Sequence, residues 1–242
     1  MQTWRVIELP EQEDEARSGT DSPRVLPAVK LAVHPATCGR LVVIYPGLDA
    51  TLDCESRSLT QHHPHRYLRL AQALQDRGIA AVLRLENPRS GYLDGGEVAV
   101  ERLRRAIEYV LHHAQSLCGA SSPQLNFWGF SAGAGAAAAL AGHYQPQNMV
   151  LVAPAWNAGH FRVLAGLTKF TGDLFILVGE KDEMVGKEAG SLFAEYARTA
   201  WRKKVIVVPG CDHFFTGKDH DALLEEATLM ALSGEKRRPP WV

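Results

Sequence analysis

This chain has little that would draw it to a strongly charged or greasy partner. Its 242 residues carry 26 basic and 27 acidic side chains, a net charge of −1 with histidine neutral. Without a basic surplus there is no electrostatic case for nucleic acid or an anionic membrane as partner. No apolar run approaches the roughly 20 residues that a bilayer-spanning helix needs. No charged-then-apolar leader opens the chain either, so a soluble cytoplasmic protein is expected. Cysteine is scarce and scattered: Cys38, Cys54, Cys118 and Cys211 show no C-x-x-C spacing. They read as reduced thiols, neither a disulfide framework nor a zinc site. No repeat period or low-complexity linker divides the sequence. The reading is one domain over residues 1–242, with a strand and an acidic loop in 1–28 and a loose basic tail in 236–242.

What is present suits a packed core. Hydrophobic residues make up 46% and charged residues 22%, close to globular averages. Short apolar, β-branched runs mark strands at residues 4–9, 29–33, 41–45, 79–85, 125–130, 148–152, 175–178 and 205–208. Apolar residues at helical spacing mark helices at 66–75, 97–117, 131–142, 192–201 and 221–232, with room for a short one near 161–167. Strands alternating with helices build βαβ units. The fold class is therefore α/β, a mostly parallel sheet with helices on both faces.

In such sheets ligands collect beyond the carboxyl ends of the strands. Gly129-Phe130-Ser131-Ala132-Gly133 sits at one of these ends, between an apolar strand and an alanine-rich helix. A strand that turns into a helix within two residues strains its central residue. Small neighbours relieve the crowding, and the serine hydroxyl stands clear above the sheet edge. Gly179-Glu180-Lys181-Asp182 and Pro209-Gly210-Cys211-Asp212-His213 follow two later strands, and Pro46-Gly47-Leu48 an earlier one. A serine, an acid and a histidine thus recur in that order on strand-end loops. Asp173, Glu180, Glu183 and Asp212 compete with Asp182 for the acid. Asp173 precedes its strand and belongs at the opposite sheet edge, while Asp212 adjoins His213 and would point elsewhere.

Together with Glu183-Met184-Val185 and Phe214-Phe215, these motifs resemble the α/β-hydrolase superfamily over residues 41–232. The likeness is greatest to its small lidless members of the dienelactone-hydrolase or carboxylesterase kind. It implies a three-layer α/β-hydrolase fold, with Ser131 as nucleophile, Asp182 as acid and His213 as base. It also implies an oxyanion hole built from the backbone N–H of Ala132 and one more, from Leu48 or Asp49. Dienelactone hydrolases proper carry cysteine at the elbow. Serine in that place favours an ordinary serine hydrolase.

The residue types suit the chemistry. A serine hydroxyl is a weak nucleophile near neutral pH and needs a hydrogen-bonded base. An imidazole, with an ordinary pKa of about 6.5, can take that proton and return it to the leaving group. A carboxylate behind it fixes the tautomer and stabilises the imidazolium. The segment after the strand at 148–152 is short for a lid, so a small open acyl pocket is expected. Trp156, Phe161, Phe214 and Tyr92 are its candidate lining, and Cys211 its candidate neighbour. The expected substrate is a small acyl compound, a carboxylic ester or thioester. A non-catalytic binding protein, or a peptidase or acyltransferase on the same residues, remains as the alternative. No metal or cofactor is expected: proline breaks the geometry of His62-His63-Pro64-His65. Ala138 stands where a dinucleotide fingerprint begun at Gly133 would need its third glycine.

Overall fold

The computed structural model describes residues 4–13, 25–52 and 65–233. Its first strands are β1 (Arg5–Leu9), β2 (Gln12–Glu13), β3 (Val25–Leu26), β4 (Val29–His34) and β5 (Arg40–Tyr45). They are followed by β6 (Ala81–Leu85), β7 (Gln124–Phe130), β8 (Asn148–Val152), β9 (Asp173–Gly179) and β10 (Arg202–Val208). The helices are α1 (Arg66–Asp76), α2 (Glu97–His112), α3 (Ala114–Cys118), α4 (Ala132–Tyr144), α5 (His160–Leu167), α6 (Ala189–Tyr196) and α7 (Lys218–Ser233).

Eight strands form one sheet in the order β1-β4-β6-β5-β7-β8-β9-β10. From β6 to β10 all neighbours are parallel. Only β4 runs against the rest, pairing antiparallel with both β1 and β6. Side-chain alternation then splits the core in two. Leu41, Val43 and Tyr45 of β5 join the cluster under α2 to α6, while Val42 and Ile44 join the cluster under α1 and α7. Both faces are covered, which is why the central strands are continuous apolar runs. On the α7 side, the Trp128 indole N–H donates to Thr228 Oγ1 at 3.0 Å and so satisfies its buried polar atom.

The element boundaries depart from sequence expectation in three places. The helix expected over residues 97–117 is broken at His113, whose φ of −102° leaves the helical range. Its ring stacks on Tyr109 and its Nδ1 lies 2.7 Å from the Tyr109 carbonyl, which fixes the bend. The helix expected at 192–201 runs instead over α6, ending at Tyr196, and five irregular residues, 197–201, separate it from the start of β10 at Arg202. Tertiary ties explain that early end: Thr199 Oγ1 donates to Phe170 O, and the Trp201 N–H to Thr171 O. At the N-terminus, β2 and β3 form a small antiparallel pair in place of plain loop. The rest of the acidic stretch, the histidines at 62 and 63 and the tail at 236–242 lie outside the described residues.

Candidate active site

The loops after β5, β6, β7, β9 and β10 all emerge at one edge of the sheet, the carboxyl edge of its parallel strands. Ser131 lies between β7 and α4 with φ 53° and ψ −120°, a backbone state that costs a residue other than glycine about 1–3 kcal/mol. Four hydrogen bonds hold it there. Its N–H donates to Val152 O at 2.8 Å, and its carbonyl accepts from Ala134, Ala155 and Gly135 at 3.0, 3.1 and 3.2 Å. A Cβ on Gly133 would overlap the carbonyl oxygens of Tyr45 and Pro46, and one on Gly129 would strike the Ala134 backbone. Glycine at both positions lets α4 close against β7 and the β5 loop.

His213 bridges the two partners expected of it. Its Nε2 lies 3.0 Å from Ser131 Oγ and its Nδ1 lies 2.8 Å from Asp182 Oδ2. The Asp182 side chain is fully buried and that of His213 is 4% exposed. Burial alone would raise the Asp182 pKa. Hydrogen bonds from His213 and from the N–H groups of Val185 and Met184 outweigh it and hold the carboxyl below its usual value. The arrangement keeps a carboxylate against the imidazole and leaves the other ring nitrogen on the serine hydroxyl.

Glu183 is exposed, and the other three competing acids are engaged elsewhere. Asp173, at the start of β9, pairs with Arg202. Glu180 Oε2 accepts from the Gly210 N–H at 2.8 Å, and Asp212 Oδ1 from the Thr216 N–H at 2.8 Å. For the backbone donors, the Asp49 N–H is already given to Asn87 O at 2.8 Å. The N–H groups of Leu48 and Ala132 have no acceptor among the described residues. Ala132 opens α4, where the first N–H groups of a helix lack intrahelical partners and the helix dipole favours negative charge.

Ser131 and His213 border a small cavity of about 70 Å³, together with Gly47, Leu48, Phe130 and Phe214. Of the four expected lining aromatics only Phe214 is there. Trp156 instead packs against Phe193 of α6 and His160, with ring centroids 4.5 and 4.4 Å away. Phe161 sits on the solvent side of α5, 86% exposed. The Tyr92 hydroxyl is turned to the Asn87 amide at 3.0 Å. The short segment after β8 folds over α4 and α6 and carries Trp156 and Phe161 away from Ser131, whereas Tyr92, in the turn after β6, is held by its contact with Asn87.

Sequence reading missed Arg66, Tyr67 and Met184, which also line the cavity. The Arg66 guanidinium donates to Asp221 Oδ1 at 2.6 Å and to Phe215 O at 3.1 Å, and lies over the Phe130 ring. Tyr67 accepts the Gly47 N–H at 3.4 Å. A usable signal existed: the first turn of a helix in a βα unit returns beside the strand end, and Met184 is two residues past Asp182. Cys211 is buried, and burial, then the Asp212 charge, push its thiol up to about 12. It is a packing thiol, not a reactive one. Among the described residues no cluster could hold a metal ion, and no helix is long and apolar enough to cross a membrane.

Neither a protein-family model nor a curated protein sequence matches the chain. Solved structures do match it. The esterase domain of a Rhodothermus marinus protein superposes with a TM-score of 0.65 at 14% identity, covering 93% of this chain and 96% of that one. A dienelactone hydrolase from Anabaena variabilis gives 0.66 at 17%, covering 95% and 100%. A serine hydrolase without a lid from Xanthomonas campestris gives 0.60 at 20%, covering 88% and 93%. What is shared at these identities is the fold, that of the α/β hydrolases.

Proposed function

We propose that this chain is a serine hydrolase that cleaves small carboxylic esters or thioesters through an acyl-enzyme on Ser131. The observation that carries the reading is the unbroken line from Ser131 Oγ through both nitrogens of His213 to a buried, ionised Asp182. Ser131 Oγ attacks the acyl carbon while His213 Nε2 takes its proton. Asp182 holds the Nδ1 proton in place and stabilises the imidazolium. The carbonyl oxygen becomes an oxyanion, received by the Leu48 and Ala132 N–H groups; losing one such donor typically raises a barrier by about 2.7–4 kcal/mol. The bond to the alcohol or thiol breaks as His213 protonates it. Water then repeats the sequence on the acyl-enzyme, releasing the acid and restoring Ser131.

The small cavity supports a small acyl group, being well below the roughly 300–1,000 Å³ of drug-sized ligand pockets. In this reading the partner is a soluble small-molecule substrate met in the cytoplasm. A fluorophosphonate probe tests the nucleophile: the wild type is labelled and Ser131→Ala is not. No label on the wild type, or equal label on both, removes the reading. A chain-length series of p-nitrophenyl esters tests the pocket, with acetate and butyrate expected to turn over faster than long acyl chains.

A further inference from the structure

The turn after β5 is held from two sides, and the ties single out one N–H. The Gly47 N–H goes to Tyr67 Oη and the Asp49 N–H to Asn87 O; Leu48, between them, has no acceptor among the described residues. Asn87, just past β6, supplies most of this hold. Its Nδ2 donates to Pro46 O at 2.7 Å, its own N–H to Ala50 O at 3.0 Å, and its carbonyl accepts from Asp49 at 2.8 Å. One residue therefore grips the turn on both sides of Gly47-Leu48, at Pro46 before it and at Asp49 and Ala50 after it.

The Asn87 side chain is wholly buried, and its Oδ1 has no hydrogen-bond partner among the described residues. An apolar side chain could fill the same space without stranding an acceptor. The amide's gain lies in its donor, which fixes the Pro46 carbonyl and meets the Tyr92 hydroxyl. Behind the turn, α4 closes so tightly at Gly133 that a Cβ there would overlap the same carbonyl oxygen.

We infer that Asn87 is the positioning residue of the oxyanion hole, acting through Pro46 to keep the Leu48 N–H aimed into the cavity beside Ser131. The inference rests on the serine-hydrolase reading. Asn87 touches no reacting atom. It sets the place of one that does, and a displacement of about 1 Å at such a donor is enough to lose about 100-fold in rate.

The test compares Asn87→Ala with wild type on a p-nitrophenyl ester and its thiono analogue, in which sulfur replaces the carbonyl oxygen. Sulfur accepts hydrogen bonds more weakly, so an intact pair of N–H donors favours the oxoester. Rates are normalised to the fraction labelled by fluorophosphonate. The expected result is a fall in kcat on the oxoester of about 100-fold, a much smaller fall on the thionoester, and unchanged KM. Equal falls on both substrates would mark general damage and overturn the inference, as would no fall on either. If Asn87→Ala does not fold by circular dichroism, Asn87→Ser, too short to reach Pro46, carries the comparison. Loss of the fold in both makes Asn87 a folding residue and overturns the inference. A wild type that neither labels nor turns over the oxoester is a different outcome: it removes the serine-hydrolase reading itself.

Discussion

Strand β9 has an aspartate at its start and another just beyond its end, Asp173 and Asp182. Asp173 meets Arg202 with Nε 3.0 Å from Oδ1, and that arginine is 66% exposed. Water and salt screen such a pair, and the side chains lose freedom in making it, so it contributes little. Asp182 is fully buried, with one oxygen on His213 and the other on two backbone N–H groups. Its charge is satisfied without screening, so the imidazole feels most of it. The same strand thus ends in a carboxylate paired with an exposed arginine on one side and in an enclosed, oriented carboxylate on the other. The difference is one of enclosure, not of residue type.

Replacing each carboxylate by its amide sets the two ends apart most sharply. Asp182→Asn keeps the shape but favours the wrong imidazole tautomer, and kcat on a short-chain ester is expected to fall about 10⁴-fold. Asp173→Asn is expected to leave kcat at the wild-type value. Steady-state kinetics on both variants checks this, and similar losses in the two would erase the distinction between the ends.

Two glycines extend the comparison to backbone packing. A Cβ on Gly133, at the carboxyl edge, would overlap the Tyr45 and Pro46 carbonyls; one on Gly172, at the amino edge, would overlap that of Pro146. The insult is alike, so Gly133→Ala and Gly172→Ala are each expected to destabilise by about 1–3 kcal/mol. Only Gly133→Ala displaces the turn that bears Leu48, and only it is expected to lower kcat, by about 100-fold. Urea unfolding and kinetics on the same preparations separate the two effects. A matching kcat loss in Gly172→Ala would show that activity follows global stability alone.

The division between edges also explains what was readable in the sequence. Each central strand is an apolar run closed by glycine or proline, so the sheet and the order of its carboxyl-edge loops could be read directly. Ser131, Asp182 and His213 stood out because each follows such a run, and the structure brings the three side chains within hydrogen-bonding distance. The pocket wall was harder to read. Trp156 and Phe161 follow a strand end just as Ser131 does, yet only tertiary packing against α6 decides that they turn away. Arg66 and Tyr67 open an amphipathic helix, where periodicity reports the buried face but not what lies beyond the first turn. Asn87 stands just past β6, beside Pro88. Its grip on residues 46–50 joins two loops far apart in sequence, and no local pattern encodes that.

Histidine offers the last contrast between the edges. His34 ends β4, opposite Val82 near the amino end of β6, far along the sheet from the His213 loop. Trp4 stacks on its ring, and its Nε2 accepts from Arg84 Nε at 3.0 Å. Burial, then the Arg84 charge, lower its pKa to about 4, against the Gln75 side chain, which raises it. The unfolded chain takes up this proton near pH 6.5 and the folded chain only near 4. Stability from His34 is therefore complete above about pH 6.5 and is lost progressively down to about 4, by about 3 kcal/mol in all. Asp182, with its carboxyl held low, contributes in the same direction but only below the ordinary carboxylate range, so the two windows are separate. Urea midpoints measured from pH 7 to 4 should fall in the wild type and much less in His34→Gln, which keeps an acceptor for Arg84. Equal falls in the two proteins would show that His34 does not carry the loss of stability over this range.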